Sequence, residues 1–353
     1  MNKMNAETEQ EHLSYNALRN AEVSHYGELK RIKSRFGSWE EAWKKFPRMK
    51  SSLDDPESEW EQLERAGVRL MLADDSDFPP LLREIPLPPF GIYVKGNLPD
   101  PTQPAIAIVG TRKATEDGVE TARRLGAELA RAGAVIVSGL AFGIDAAAHT
   151  GCLDADGRTV AVLGNGLDAV YPKSNERLAR RILEQGGALV SEYPLGTPSL
   201  PHHFLERNRL ISGLSLGIVV IEAPKASGSL ATARFALEQN RDVFVVPGPA
   251  RHQNFHGSHE LIRSGARLVT SATEVLEDLN LVEPDPDTPA KNFGSEEEKI
   301  IFEVIGKARE PLEIDKIIEI THLESRIANQ ALTMLLLKNI VQEKGEGYVI
   351  GNS

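Results

Sequence analysis

Short apolar runs alternate regularly with helix-length segments between residues 105 and 280. Each run is four or five residues long, which suits a strand buried on both faces of a sheet. Glycine or asparagine stands where most of the intervening helices are expected to end. This alternation predicts an open, mostly parallel, doubly wound sheet of the Rossmann-like α/β class, whose ligand binds at the carboxyl ends of the strands. The predicted strands are Ala105–Val109, Ala134–Val137, Thr159–Leu163, Ala188–Ser191, Gly217–Ile221, Asp242–Val246 and Arg267–Val269.

The segment from Val135 to His149 is the most informative part of this region. Its apolar strand ends at Ser138-Gly139, and an Ala-rich helix begins at Asp145. A strand, a glycine turn and a helix amino terminus together present free backbone N–H groups to an anion. The segment therefore predicts one wall of an anion-binding site.

The flanking regions have a different character. Residues 1–56 have the pattern of a small helical domain of the SAM or helix-hairpin type, and residues 57–104 form an extension that leads into the core and ends in a proline-rich stretch. Residues 105–280 are the Rossmann-like domain, and residues 281–294 form a Pro/Asp linker. Residues 295–353 are expected to form three helices and a hairpin, the winged-helix pattern.

The charge balance bears on what the flanking domain can bind. The chain carries a net charge of −11, and residues 281–353 alone carry −6. The third helix of this domain, Leu323–Asn339, has only Arg326 and Lys338 as cations. We therefore expect it to contact protein rather than duplex DNA.

Cysteine content and hydropathy limit the class of protein. Cys152 is the single cysteine, so neither a disulfide framework nor a thiolate metal cluster is expected. There is no apolar run of membrane-spanning length and no secretory signal, which predicts a cytoplasmic protein with no membrane contact.

The loops that follow the predicted strands collect small residues and cations. Because these loops converge at one edge of the sheet, they predict a pocket for a phosphorylated ligand. Glycine lets the backbone approach a phosphate closely, arginine binds phosphate oxygens with its planar guanidinium, and lysine contributes a point charge. The cations of this pocket are Arg112, Lys173, Arg207 and Arg209. The alternative for any one of them is pairing with an acidic side chain that merely holds a loop.

Several catalytic and cofactor motifs are not supported. Gly164-Asn-Gly-Leu-Asp-Ala169 matches the dinucleotide fingerprint by letter, but Tyr171-Pro172 intervenes before the next helix, and no P-loop lysine motif is present. His252, His256 and His259 are interrupted by Gly257 and have no acidic ligand motif beside them. Asp145 and His149 lie one helical turn apart near Ser138, but that serine is not in a nucleophile elbow. We expect no catalytic residue, no metal and no cofactor.

Several long motifs of the core belong together. They include Val109-Gly-Thr-Arg112, Ser138-Gly-Leu-Ala-Phe-Gly-Ile-Asp-Ala-Ala-Ala-His149, Tyr171-Pro-Lys-Ser-Asn175, Arg207-Asn-Arg-Leu-Ile-Ser-Gly213 and Ser227-Gly-Ser-Leu-Ala-Thr-Ala233. With these motifs the core resembles the bacterial DNA-processing protein A family (DprA, also called Smf). The resemblance runs from about Asp74 to Leu279. Two departures are Thr111, where serine is usual, and His259, where asparagine is common.

The resemblance implies a non-enzymatic protein that binds single-stranded DNA, forms a homodimer through the Rossmann-like domain and loads a RecA-type recombinase during natural transformation. It implies backbone contacts from Arg112 and Lys173, and a base stacked on Phe142. The full set of implied DNA-binding residues is Gly110, Thr111, Arg112, Ser138, Gly139, Phe142, Lys173, Asn175, Arg207, Asn208, Arg209, Ser227, Gly228 and Ser229.

A second hypothesis is a nucleotide-hydrolysing enzyme or a nucleotide sensor. Related Rossmann-like domains bind free nucleotides in this kind of pocket. They usually carry a Pro-Gly-Gly-x-Gly-Thr loop, whereas this chain has Lys225-Ala-Ser-Gly-Ser-Leu230 at the comparable place.

Overall fold

The computed structural model describes residues 6–21, 26–45, 56–281, 294–308, 311–338, 340–345 and 347–350. It contains two compact units, residues 1–281 and residues 282–353. Most of the linker predicted at residues 281–294 lies outside the described residues, as do residues 22–25 and 46–55 of the amino-terminal region.

The first unit is organised on a nine-stranded sheet with the order β1-β2-β6-β5-β4-β3-β7-β8-β9. Neighbouring strands from β6 through β9 are parallel, and β1 and β2 add an antiparallel edge. The strands are β1 (Val68–Leu72), β2 (Gly91–Gly96), β3 (Ala105–Gly110), β4 (Val135–Ser138), β5 (Thr159–Leu163), β6 (Ala188–Ser191), β7 (Gly217–Ile221), β8 (Asp242–Val245) and β9 (Arg267–Leu268). The doubly wound fold is confirmed, and all seven predicted core strands are present within one or two residues.

The strand order fixes where a ligand can enter. The chain builds outward from β3 to β6 and then returns to place β7 on the other side of β3. The connections after β3 and β7 therefore leave in opposite directions and open a crevice at the carboxyl ends of these two strands.

Helices cover both faces of the sheet. Successive residues of β3 alternate between the faces: Ile106 and Ile108 pack against α6, α7 and α12, while Ala107 and Val109 pack against α9 and α10. The helices after β1 are α5 (Pro80–Arg83), α6 (Glu116–Arg131), α7 (Ile144–Asp154), α8 (Glu176–Glu184), α9 (Pro201–Gly213), α10 (Gly228–Glu238), α11 (His256–Arg263) and α12 (Ala272–Asp278).

Helix α9 differs from the sequence-based expectation. The segment Glu206 to Arg209 was expected in a loop after β6, but it lies in the middle of this 13-residue helix. Pro201 occupies the first turn of the helix, where its lack of an N–H removes no helical hydrogen bond. Leu210 and Ile211 anchor the helix in the core, and the polar residues before them, from Arg207 to Arg209, are buried as well.

The amino-terminal helices are joined to the sheet and are not a free-standing module. They are α1 (Ala6–Asn20), α2 (Tyr26–Phe36), α3 (Trp39–Lys45) and α4 (Pro56–Arg65). Tyr15 and Leu18 share one buried cluster with Tyr93 of β2. The Tyr93 hydroxyl donates to the Asn16 side-chain oxygen at 2.9 Å. The predicted regions 1–56 and 57–104 therefore belong to the same compact unit as the core.

The second unit has the predicted order of three helices and a hairpin. It comprises α13 (Glu296–Lys307), α14 (Ile314–Thr321), α15 (Ser325–Leu337), β10 (Val341–Lys344) and β11 (Gly347–Ile350), with an additional bridge between Leu312 and Tyr348. The Lys338 ammonium, just after α15, donates to the buried Glu298 at 2.6 Å. One of the two cations expected on the third helix is thus engaged inside the unit.

None of the helices in the described part of the chain is both long and apolar enough to span a membrane.

A buried ion pair between Arg209 and Glu192, next to the point where helix α1 is attached, predicts a stability effect. Arg209 donates to both carboxylate oxygens of Glu192 at 2.7 Å, and Arg19 of α1 donates to the Glu192 carbonyl at 2.8 Å. Changing Glu192→Gln leaves a buried guanidinium without its counter-charge. We expect this change to lower the free energy of unfolding by about 3 kcal/mol in urea denaturation.

The matched control is Glu61→Gln, which breaks an exposed pair with Arg65. It should change the free energy of unfolding by less than about 1 kcal/mol. The double change Glu192→Leu with Arg209→Met should recover most of the loss, because it removes both charges together. Equal effects of Glu192→Gln and Glu61→Gln would contradict the structural role of the pair.

Candidate nucleic-acid-binding site

A cavity of about 700 Å³ opens at the carboxyl ends of β3 and β7. Its walls come from the loops after these strands, the loop after β4, and helices α9 and α10. This is the crevice that the strand order creates. The residues that line it include Gly110, Thr111, Arg112, Lys113, Ala141, Asp145, Tyr171, Phe204, Leu205, Arg207, Asn208, Ser227, Gly228 and Ser229.

The loop after β3 carries the first cation. Gly110 is required there, because a side chain would collide with the Ile221 carbonyl oxygen and with Ile144. The Thr111 N–H donates to the Glu222 carbonyl at 2.9 Å, which turns the chain outward. The Arg112 side chain is exposed, and its guanidinium lies 5.2 Å from the centre of the Phe204 ring. No acidic partner holds Arg112 among the described residues, so its charge is available to a ligand.

Glu222, at the end of β7, holds this loop in place. Its buried carboxylate accepts hydrogen bonds from the Thr115 N–H at 3.0 Å, from the Thr115 hydroxyl, and from the Asn254 amide at 2.8 Å. The residue adopts a left-handed backbone conformation with φ of 53°. A buried carboxylate at this point was not predicted, since the only sequence signal was an acidic residue ending an apolar run.

Two buried side chains, Ser138 and Asp145, determine the conformation of the loop after β4. The Ser138 hydroxyl is fully buried and donates to the Ile108 carbonyl at 2.6 Å, so it does not face the cavity as expected. The Asp145 carboxylate accepts from the N–H groups of Gly139 at 3.1 Å and Ala141 at 3.4 Å. Burial raises the pKa of Asp145, while the nearby Arg207 and these N–H groups oppose the rise. Ser138 and Asp145 therefore form the support of the loop.

The two arginines of α9 have different surroundings. Arg207 lines the cavity, is buried, and donates to the carbonyl oxygens of Gly139, at 2.8 Å, and Val162. Burial lowers the pKa of Arg207 to about 10. Arg209 is engaged with Glu192 and is absent from the cavity wall, so its expected place among the pocket cations is wrong.

Helix α10 presents its amino terminus to the cavity. Ser227, Gly228 and Ser229 line the wall there, with the two serine hydroxyl oxygens 2.6 Å apart. The Asn208 amide donates to the Gly228 carbonyl at 3.2 Å and ties α9 to α10. Backbone N–H groups and the positive end of the helix dipole make this wall suitable for a phosphate.

Aromatic side chains lie beside the cationic wall. Phe142 is 47% exposed and Tyr171 is 44% exposed, and both border a small cleft next to the main cavity. The Tyr171 ring lies 5.4 Å from the Phe204 ring. Phe142 was predicted, whereas Tyr171 and Phe204 were missed because isolated aromatics in a sequence do not reveal which face they occupy.

Lys173 and Asn175 stand at the edge of this cleft. Lys173 is exposed, and Asn175 donates from its side-chain amide to the Leu140 carbonyl at 2.9 Å. Asn175 thus fixes the start of α8 on the loop after β4. Of the 14 predicted residues, Gly110, Thr111, Arg112, Gly139, Phe142, Arg207, Asn208, Ser227, Gly228 and Ser229 line the cavity or the cleft.

The histidines that resemble catalytic or metal-binding groups have other surroundings. His149 is fully buried, and its Nδ1 lies 2.7 Å from the Thr159 hydroxyl, away from the Asp145 carboxylate. His252 accepts from the Asn254 N–H, and His259 lies 3.1 Å from the Gly248 carbonyl. No cluster of three or more metal-ligating side chains occurs within the described ranges.

Fold and cavity together define a Rossmann-like protein with a cationic, partly aromatic site at its topological switch point. The model of the family "DNA recombination-mediator protein A" matches residues 69–280, which is more than half of the chain. The chain belongs to this family.

Relatives with curated names extend the match. Protein Smf of Escherichia coli is 44% identical over 238 residues, which cover 67% of this chain and 64% of that protein. DNA processing protein DprA of Streptococcus pneumoniae is 43% identical over 202 residues, 57% of this chain and 71% of the relative. The aligned part thus spans slightly less than two thirds of the E. coli protein.

Solved structures agree with the fold. DprA from Streptococcus pneumoniae matches with a TM-score of 0.62 and 35% identity, covering 79% of this chain and 99% of that one. DprA from Helicobacter pylori, described for its single-stranded DNA binding mode, matches with a TM-score of 0.53 and 29% identity, covering 60% of this chain and 95% of that one.

The buried His149 predicts a pH effect on stability. Burial and the nearby Arg207 lower its pKa from 6.5 to about 3, so the folded state keeps the ring neutral. Below pH 6.5 the unfolded chain binds a proton at His149 that the folded chain does not bind. The free energy of unfolding therefore decreases as the pH is lowered toward about 3. His149 should therefore account for a loss of about 2 kcal/mol between pH 7 and pH 5.

Urea denaturation of wild type and His149→Gln at both pH values measures this contribution. The variant can start from a lower stability, but its loss between pH 7 and pH 5 should be about 2 kcal/mol smaller. Parallel pH dependences for the two proteins would show that His149 does not set this loss.

Proposed function

We propose that this protein binds single-stranded DNA in the cavity at the ends of β3 and β7 and acts as a recombination mediator. The observation that carries the proposal is the combination of an exposed Arg112 with no acidic partner in the described part of the chain, the amino terminus of α10, and exposed aromatic rings around one opening. Arg112 and the amino terminus of α10 can bind phosphates, and the aromatic rings can stack on unstacked bases. The family description and the single-stranded DNA binding of the H. pylori relative point to the same ligand class.

The site favours a single strand because its aromatic groups need an open base. Phe142 and Tyr171 offer ring faces that a paired, stacked base cannot reach. The charged groups recognise only the backbone, so binding is expected to be independent of sequence. Each stacked base typically contributes about 1–3 kcal/mol.

Two kinds of cation have separate roles in this proposal. Arg112 and Lys173 are exposed and contact the DNA backbone directly. Arg207 is held by two carbonyl oxygens and mainly supplies a fixed positive potential inside the cavity. The walls are shaped by Gly110, Thr111, Gly139, Asn175, Asn208, Ser227, Gly228 and Ser229. Ser138 and Arg209 act only by stabilising the fold, through a hydrogen bond and an ion pair. The protein binds without catalytic turnover or a cofactor and acts in the cytoplasm.

Dimerisation through the Rossmann-like unit is part of the proposal. Strand β9 lies at one edge of the sheet, and its Leu268 is 51% exposed. An open edge with an apolar side chain is a template for a second copy. Two cavities in one dimer would share a strand and raise the effective affinity.

A free nucleotide is the second candidate ligand. The cavity of about 700 Å³ is large enough for one, and the amino terminus of α10 would suit its phosphates. The first candidate is preferred because the exposed Phe142 and Lys173 extend beyond the space that one nucleotide would fill.

Binding assays with matched ligands test the proposed function. We expect wild type to bind a long oligothymidine tightly and to bind duplex DNA and mononucleotides weakly. The change Arg112→Ala with Lys173→Ala removes two phosphate contacts and should reduce the salt slope of single-strand binding by about 1.4. Filter binding over a range of salt concentrations measures both quantities.

The control for this experiment is Arg31→Ala with Arg65→Ala, which removes the same charge from α2 and α4. It should leave single-strand binding close to wild type. A wild-type preference for mononucleotides over the long oligonucleotide would instead favour the nucleotide sensor.

Loading of a RecA-type recombinase during natural transformation is the biological role that we propose for this binding. The expected result is capture of the host recombinase by the tagged full-length protein, with faster recombinase assembly on single strands covered by a single-strand-binding protein. The change Arg112→Ala with Lys173→Ala should abolish the acceleration but keep the capture. Faster recombinase assembly with the variant Arg112→Ala/Lys173→Ala would show that loading does not depend on the cavity.

A further inference from the structure

Helix α8 begins at the wall of the cavity. Asn175, the residue before the helix, donates to Leu140 in the loop after β4, and the neighbouring Ala141 lines the cavity. From this point the helix runs away from the cavity, alongside β5 and β6. A ligand that lies along α8 therefore extends from the cavity toward the opposite end of the sheet.

The two faces of α8 differ sharply. Ala179 and Ile182 are buried against the strands. Arg177 and Arg180 are exposed and fall on the opposite face, because residues three apart share one side of a helix. Lys173 is exposed in the short turn that precedes the helix. The helix thus presents a line of cations to solvent that starts at the cavity edge.

Two further arginines flank this line, Arg181 within α8 and Arg158 near its end. Arg181 and Arg123 both donate to Asp154, at 3.0 and 2.5 Å, and these two cations share a single carboxylate. Their hydrogen bonds lower the pKa of Asp154, Arg181 contributing most. The Arg158 side chain lies over Gly186, two residues beyond α8. We call Lys173, Arg177, Arg180, Arg181 and Arg158 the α8 track.

The central cations of the track are not neutralised. Arg177 and Arg180 form no ion pair with any described residue, although Glu176 and Glu184 stand at the two ends of the same helix. In a chain of net charge −11, a row of unpaired arginines that adjoins a cationic cavity is unusual for a purely solvated face. Arginine is also the residue best shaped to bind phosphate oxygens.

We propose that the α8 track is a second, outer DNA-binding surface that holds the single strand as it leaves the cavity. This inference rests on the proposed function of the cavity and extends it. Lys173 joins the two surfaces, Arg177 and Arg180 contact successive backbone phosphates, and Arg158 marks the far end. Within α8, Arg177 and Arg181 are about 6 Å apart along the helix axis, at about 1.5 Å per residue. The cavity captures a short strand, and the track adds affinity only for a longer one.

Strand length separates the two surfaces experimentally. We compare the full chain with the variant Arg177→Gln/Arg180→Gln, using labelled oligothymidines of about 6 and about 30 nucleotides. The variant should bind the short oligonucleotide like wild type. It should bind the long one about twenty-fold more weakly near 0.1 M salt, with a salt slope reduced by about 1.4, because two phosphate contacts are lost.

The matched control is Arg31→Gln/Arg65→Gln, which gives the same net charge with both changes on the amino-terminal helices α2 and α4. It should bind both oligonucleotides like wild type. If wild type binds neither oligonucleotide, the proposed function itself fails. If wild type binds both and the Arg177→Gln/Arg180→Gln variant keeps full affinity for the long one, only the α8 track is overturned. Equal losses for both lengths would also overturn it, since they would indicate damage to the cavity.

A fluorescent label gives an independent readout that leaves every cation in place. Cys152 is buried, so the thiol of a Glu184→Cys variant can be labelled selectively. An environment-sensitive dye there should respond to the long oligothymidine and remain unchanged with the short one at saturation. Saturation with the long oligonucleotide and no change in fluorescence would place the strand elsewhere.

Discussion

The Arg207 guanidinium is the interaction on which the arrangement of the site depends. It sits inside the crevice and binds the carbonyl oxygens of Gly139 and Val162. These oxygens belong to the loop after β4 and to β5, so a single side chain from α9 fixes two neighbouring strand ends. Asp145, which caps the same loop through N–H groups, lies close enough to oppose the effect of burial on the charge of Arg207. Removing the guanidinium would release the loop that carries Phe142 and supports the start of α8.

The same helix uses a second arginine for a different purpose. Positions 207 and 209 are about 200° apart around a helix, so their side chains leave α9 in nearly opposite directions. One side faces the cavity, and the other faces Glu192 and helix α1. The site and the attachment of the amino-terminal helices therefore share one rigid element. This explains how the residues from Arg207 to Arg209 can be buried, because Arg207 donates to carbonyl oxygens on one side and Arg209 pairs with Glu192 on the other.

The sheet was predictable because each core strand is a continuous apolar run, and such runs have few alternatives in an α/β chain. The site was predictable in part, because strand ends must converge and small residues with cations mark them. Helix α9 was missed for a physical reason. Its segment from Glu206 to Arg209 is polar without an apolar stripe, so the sequence does not show that it lies in a buried helix. The surroundings of Arg209 and Ser138 could not be predicted from the sequence either. An arginine that binds phosphate and an arginine that neutralises a buried carboxylate are the same residue type. Glu222 likewise looked like the polar end of a strand, although it holds the Arg112 loop.

The distribution of charge is compatible with the proposed binding of a polyanion to an acidic chain. Electrostatic attraction acts over roughly 10 Å at physiological salt, so the net charge of −11 matters less than the charges within that distance of the strand. The cations around the cavity and on α8 belong to the core, whose residues 105–280 carry 18 Lys/Arg against 19 Asp/Glu. In the proposed function, the strand would therefore meet these cations on a nearly neutral core, and the average charge of the whole chain would matter less.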